Sequence, residues 1–362
     1  LAFGSLPTGA HNAITDVPGV RVGHVTVWHG APGTEAGAGE GEGVGEGVAR
    51  TGVTAIVPVG ADEGLLGLFR RPVAAGVAVL NGAGELTGSI EVAEWGIIET
   101  PIVLTGTSSV GRAYDAAVDA MYTAGADEVV IPVVGECDDS WLDDHRRRWV
   151  TVEHARAAID GASGGPVAEG VVGAGTGMVT MGHKAGIGTS SRQLDGVGTV
   201  GVLVLANFGA VGELRIAGTL VGPTLRADRH ASPAADDRRE RSSCIGLVAT
   251  DIPLDARQLT RVARRVGLGL ARVGSVAHHG SGDIFLAIST TNRLPRHAAG
   301  RVAIELLADG SLDDVFTAVV DATEEAVCNA LFVADTVTGV DGHVVAGLPV
   351  ERVIELVAPA QR

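Results

Sequence analysis

The chain has 362 residues, of which 46% are hydrophobic and 19% charged, and 27 Lys and Arg against 43 Asp and Glu leave a formal net charge of −16. That much apolar side chain excludes an intrinsically disordered protein, and the length allows one large layered domain or two of about 150 residues. The acidic balance, with no basic stretch to offset it, argues against nucleic-acid partners and anionic membrane surfaces.

Fifty-three glycines stand beside only twelve Trp, Tyr and Phe residues. Glycine is at about twice its usual share and has no Gly-X-Y period, which excludes collagen. The core is therefore expected to be aliphatic, with elements that turn tightly and approach closely. Cys137, Cys244 and Cys328 are odd in number and widely spaced. They support neither a disulfide framework nor a zinc knuckle, and they fit a reducing, cytoplasmic location. The chain opens at Leu1 with no basic-then-apolar signal. Its longest uncharged run, 196–212, contains five glycines and Asn207, which reads as a buried strand and turn instead of a membrane span.

In chain order, residues 33–47 (GTEAGAGEGEGVGEG) read as a flexible surface loop. The runs 51–59 (TGVTAIVPV) and 73–80 (VAAGVAVL) read as strands. A helix is expected over 115–124, a strand over 128–134 (EVVIPVV), a polar loop through Asp144 and a helix over 151–159. A glycine-rich passage, 171–188, precedes a buried strand at 199–206 (TVGVLVLA). Residues 226–242 carry nine charged side chains in seventeen and no large apolar one, so they are expected to form an exposed linker. The linker runs directly into 243–250 (SCIGLVAT), a continuous apolar strand. Asp255 can cap a helix reaching Arg272, with Leu259, Val262, Ala263, Val266 and Leu270 on one face, Arg261, Arg264 and Arg265 outward, and Gly274 to end it. That helix is about as long as each flanking strand, at about 1.5 Å per residue against 3.3 Å. It returns the chain so that Ser243 and Asp283, the starts of strands 243–250 and 283–290, share one sheet edge. A helix over 312–332 follows.

Strand ends gathered at one edge can bring together a nucleophile, an oxyanion donor and an orienting acid. Asn207, Ser243, Ser281 and Asp283 stand at such ends, although each also has a plain reading as turn residue, cap or strand start. A cut between Ser242 and Ser243 would give Ser243 both a hydroxyl and a free α-amine. The amine's pKa, near 7.7–8.0, suits a general base at neutral pH. Competing motifs are weaker. Residues 161–165 (GASGG) match G-x-S-x-G off a strand-turn-helix, 173–177 (GAGTG) fall short of a dinucleotide fingerprint, and His278–His279 lack zinc-helix spacing. Cys244 reads as a core thiol, and Lys184 as a surface lysine or an active-site cation.

The stretches 11–27 (HNAITDVPGVRVGHVTV), 81–105, 173–192 (GAGTGMVTMGHKAGIGTSSR), 206–214 (ANFGAVGEL), 242–254 (SSCIGLVATDIPL), 280–290 (GSGDIFLAIST) and 334–343 (ADTVTGVDGH) occur in one order. Together they resemble the DmpA-type L-aminopeptidase/D-esterase family, which includes β-aminopeptidases and nylon-oligomer hydrolases. The resemblance implies an α+β, four-layer αββα sandwich, shared with ornithine acetyltransferase. It implies one domain over 1–362 that cleaves itself into pieces 1–242 and 243–362. It places Ser243 as nucleophile and α-amine base, Asn207 in the oxyanion hole, Ser281 and Asp283 as partners of the nucleophile, and Lys184 near it. No cofactor or metal is implied, the substrate class is small peptides or amides, and the cleaved protomer is expected to form a homo-oligomer, a tetramer. The chain departs from the family pattern at Ser242, where Gly or Asn is usual, at Cys244, and at Trp141, where Tyr is common and where the indole is expected to wall the substrate pocket. The leading expectation is a self-processing aminopeptidase. The alternatives are a nylon-oligomer hydrolase, an acyl transferase, or an uncleaved homologue with a binding role.

Overall fold

The structure, a computed structural model, describes residues 1–31, 47–228 and 242–358. The ten strands of its two large sheets and the four helices packed on them are numbered here in chain order. The strands are β1 (Val20–His29), β2 (Ala49–Pro58), β3 (Val73–Gly82), β4 (Ile97–Ile98), β5 (Ile102–Gly106), β6 (Val133–Cys137), β7 (Ile187–Leu194), β8 (Gly198–Asn207), β9 (Ser243–Thr250) and β10 (Gly282–Arg293). The helices are α1 (Val110–Thr123), α2 (Val152–Asp160), α3 (Ala256–Val273) and α4 (Leu312–Phe332). One sheet has the order β1-β2-β5-β6 and the other β4-β3-β10-β9-β8-β7. The pairs β5–β6 and β9–β10 are parallel, and the remaining pairs are antiparallel.

Side chains alternate across a strand, and β9 shows what that alternation does here. Cys244 and Val248 join a core with α3 and α4, whereas Ile245, Leu247 and Ala249 join a second core shared with the other sheet. Both faces are buried, which is why 243–250 reads as unbroken apolar sequence. Ile245, Leu247, Ile284, Leu286 and Ile288 all enter the inter-sheet core, each worth about 1.5–3 kcal/mol of burial. Ser243 has the same parity as Ile245, so its hydroxyl opens at the rim of the space between the sheets.

Helix α3 forms as its ends dictate. The Asp255 side chain accepts from the Gln258 N–H at 2.7 Å, and Gly274 closes the helix at φ 110°. Its length returns the chain in parallel register, with Ser243 opposite Gly282 and Cys244 opposite Asp283. Of the three arginines expected to face outward, Arg264 is exposed, but Arg265 lies over the Phe316 ring at 3.6 Å. Helix α4 has the expected bounds, and its buried Asp321 and Glu324 pair with Arg272 of α3 at 2.5 and 3.3 Å.

Several expectations need correction. The strand expected over 128–134 is β6, Val133–Cys137. Pro132 has no N–H for the ladder, and the residues before it are held by Arg296, which bonds the Glu128 carboxylate at 2.8 Å and the Val129 carbonyl at 3.2 Å. Helix α1 begins at Val110, five residues before the expected start. The linker expected to be exposed over 226–242 contains the end of a helix, Gly222–Asp228, and a buried Ser242, while 229–241 lie outside the described residues. Of the surface loop expected over 33–47, only Gly47 is described, and it is buried beside Trp149.

Candidate active site

Ser243 is the first residue of β9, paired with Asn207 across the antiparallel ladder and with Gly282 across the parallel one. The expected edge therefore exists: Asn207, Ser243, Ser281 and Asp283 are brought together and all are buried. A close backbone approach completes it. A Cβ on Gly282 would lie 2.8 Å from the Gly84 Cα, so the loop after β3 can rest directly on the start of β10.

Ser243 lines a cavity of about 490 Å³ together with Ser242, Gly280, the loop residues Gly84 and Glu85, Thr107, and the acids Glu136 and Asp138. Those two acids come from the end of β6 in the other sheet and the residues just after it. Glu136 accepts from the Glu85 N–H at 2.9 Å and from the Thr107 hydroxyl. Burial raises its pKa, and those two hydrogen bonds pull it partly back. The nucleophile thus faces an acidic wall that sequence reading had not assigned. A signal was present: the run Glu136-Cys-Asp-Asp stands where a buried strand meets a polar loop, a strand end like the ones singled out.

Ser281 Oγ donates to Asp283 Oδ1 at 2.9 Å. Burial raises the Asp283 carboxyl from 3.8 to about 6, opposed by that hydrogen bond and by His278. Among the described residues, Ser242 Oγ and Asp283 Oδ2 are buried without a hydrogen-bond partner, and the buried Ser243 Oγ lies against the Cys137 thiol. His278 is held by Glu213 at 2.9 Å and takes no place in the cavity wall.

The Asn207 amide is fixed at both ends. Its Oδ1 accepts from the Val179 N–H at 2.9 Å, and its Nδ2 donates to the Asp138 carbonyl at 3.0 Å, leaving one Nδ2 proton free of these bonds. Lys184 acts one step further back. It is fully buried, and its Nζ donates to the carbonyls of Gly175, Met178 and Ala185 at 3.1, 2.8 and 2.6 Å. Burial lowers its pKa to about 7. The Met178–Val179 peptide accepts from Lys184 through its C=O and donates to Asn207 through its N–H. Lys184 therefore holds the peptide that holds Asn207 and does not line the cavity.

Trp141 is not in the cavity wall either, which corrects the expectation made for it. It stacks on His343 with centroids 3.6 Å apart and planes 3° from parallel, and packs with Leu142, Val179, Val337 and Val345. Cys137, Cys244 and Cys328 are buried thiols, and burial pushes all three pKa values well up, so none is set to be a thiolate nucleophile. Among the described residues no group of three or more His, Cys, Asp and Glu converges as a metal site, and no helix is long and apolar enough to cross a membrane.

Comparison with known proteins points to one family. The model of peptidase family S58 matches residues 12–345. Beta-peptidyl aminopeptidase BapA of Sphingosinicella microcystinivorans is 41% identical over 357 residues, covering 94% of this chain and 86% of the relative. The enzyme of the same name from Sphingosinicella xenopeptidilytica is 42% identical over 364 residues, covering 96% and 87%. Among solved structures, the Burkholderia sp. beta-aminopeptidase superimposes with a TM-score of 0.87 at 39% identity, covering 99% of this chain and 97% of that one. The L-aminopeptidase D-Ala-esterase/amidase of Ochrobactrum anthropi, described as a prototype for the serine aminopeptidases and a variant of the Ntn hydrolase fold, gives 0.87 at 38% with the same coverage. A family model spanning most of the chain and relatives above 40% identity over nearly its whole length show that the chain belongs to peptidase family S58, the DmpA-type aminopeptidases.

Proposed function

We propose that the chain is made as a precursor, cuts itself between Ser242 and Ser243, and then hydrolyses small peptides and amides from their N-terminal residue. The observation that carries this reading is the position of Ser243, at the start of a buried strand and in the wall of a cavity whose opposite side is acidic. Once released, the Ser243 α-amine, with a pKa near 7.7–8.0, takes the proton from Oγ as Oγ attacks the substrate carbonyl. Ser281 and Asp283 orient the amine, and the free Nδ2 proton of Asn207 meets the developing oxyanion. Glu136 and Asp138 are placed to attract the substrate's terminal ammonium, which favours a free N-terminal amine over a blocked one.

The packing of α1 and α2 against one sheet and of α3 and α4 against the other supports a four-layer αββα arrangement, cut into 1–242 and 243–362. A homo-oligomer of the cut protomer, a tetramer, belongs to the same reading and is tested by sedimentation. Two relatives more than 40% identical carry the name beta-peptidyl aminopeptidase, which favours β-residues as a second substrate reading. Intact mass of the purified protein tests processing: a fragment starting at Ser243 is expected and should be absent from Ser243→Ala. An uncut wild-type chain would favour a binding role instead. A panel of α- and β-aminoacyl p-nitroanilides with a 6-aminohexanoate oligomer separates aminopeptidase from nylon-type hydrolysis.

A further inference from the structure

Two different steps need an oxyanion donor in this chemistry: the single cut before Ser243, and every later attack on substrate. In the uncut chain one donor already touches the carbonyl before Ser243. The carbonyl oxygen of Ser242, the group to be attacked, accepts from the Gly282 main-chain N–H at 3.0 Å. This bond extends the parallel ladder in which Ser243 stands opposite Gly282. Ser242 is buried at 6% exposure. The Asn207 amide is engaged elsewhere, with Val179 and the Asp138 carbonyl, and makes no bond to Ser242 among the described residues. The Ser243 hydroxyl is buried and makes no bond to the Ser242 or Gly282 main chain.

We propose that the Gly282 main-chain N–H is the oxyanion donor of self-cleavage, and that Asn207 serves substrate turnover alone. The proposal rests on the reading of Ser243 as a self-released nucleophile. In the first step Ser243 Oγ bonds to the Ser242 carbonyl carbon, and the carbonyl π pair moves onto the oxygen held by Gly282. The C–N bond then breaks as the Oγ proton passes to the departing Ser243 nitrogen, giving an ester and a free amine. One water molecule adds to the ester carbonyl, one of its protons leaves with Oγ and the other passes to the new α-amine, yielding the Ser242 carboxylate and mature Ser243. A sheet N–H suits the first step because it is fixed by the fold before reaction and costs no reorganisation. Losing one such donor typically slows acyl transfer by about 10²–10³-fold.

The test replaces the Gly282 amide by an ester, installing glycolate at position 282 by cell-free translation, and follows the Ser243-starting fragment with time by intact mass. The same assay is run on the unsubstituted chain and on Asn207→Ala. The ester chain should cut about 100-fold more slowly. Asn207→Ala should cut within about threefold of the unsubstituted rate yet hydrolyse an aminoacyl p-nitroanilide about 100-fold more slowly. Cutting of the ester chain at the unsubstituted rate overturns the proposal. So does an Asn207→Ala chain that stays uncut while keeping the unsubstituted melting temperature and elution volume, an arm that decides even where the ester chain does not fold. If the unsubstituted chain itself yields no Ser243-starting fragment, the self-release reading fails, and that result is distinct from either of these.

Discussion

Replacing Asp283 by Asn, in a chain kept uncut by Ser243→Ala, should remove a pH dependence of stability worth about 3 kcal/mol. Asp283 is buried, with one oxygen bonded to Ser281 at 2.9 Å and the other without a partner among the described residues. Burial raises its folded-state pKa from 3.8 to about 6. Below pH 3.8 the carboxyl is neutral in both the folded and unfolded chains and costs nothing. Between 3.8 and about 6 the unfolded chain releases its proton first, so stability falls as pH rises across that window and levels off above it. At about 1.36 kcal/mol per pH unit, the gap amounts to about 3 kcal/mol. Asn has no such titration, but its Nδ2 would be buried without an acceptor, a cost of about 1–3 kcal/mol at every pH. Asp283→Asn should therefore be the less stable chain near pH 3 and equal or better at pH 7.5. Urea unfolding of the two chains at both pH values measures this, because other titrating groups cancel in the difference. A difference in unfolding free energy that is the same at pH 3 and pH 7.5 would refute the reasoning.

Lys184→Met removes the donor shared by three buried carbonyls at about 1–3 kcal/mol each, offset by relief of the buried ammonium. A net loss of about 2 kcal/mol, or roughly 2–4 °C in melting temperature for a chain of this length, is expected, together with a lower kcat at nearly unchanged KM because Asn207 loses its support. Glu136→Gln should raise KM for substrates with a free N-terminal amine about tenfold with less effect on kcat. Because burial raises the Glu136 pKa, the wild-type KM should fall as pH rises through that titration, and the variant's should not. Trp141→Ala should lower stability by about 1–3 kcal/mol through the lost stack on His343 while leaving KM within twofold, as measured by thermal unfolding and steady-state kinetics.

What sequence alone determined is clearest where local chemistry and periodicity agree. The Asp255 cap, the apolar stripe of α3 and the glycine at its end define that helix, and the bounds of β9 and α4 coincide with those read from composition. Helix and strand lengths were enough to place Ser243 and the start of β10 on one edge. Four of the candidate residues, Asn207, Ser243, Ser281 and Asp283, gather there because each ends or begins an element, and such ends are legible one at a time. The tertiary structure alone decided what those ends face. Glu136 and Asp138 reach the cavity because one sheet packs on the other, a contact between residues about a hundred positions apart from Ser243 that no local period encodes. The directions of Lys184 and Trp141 were equally out of reach, since side-chain orientation follows from the partners available after packing. For Lys184 these were three carbonyls, and for Trp141 a histidine ring some two hundred residues away.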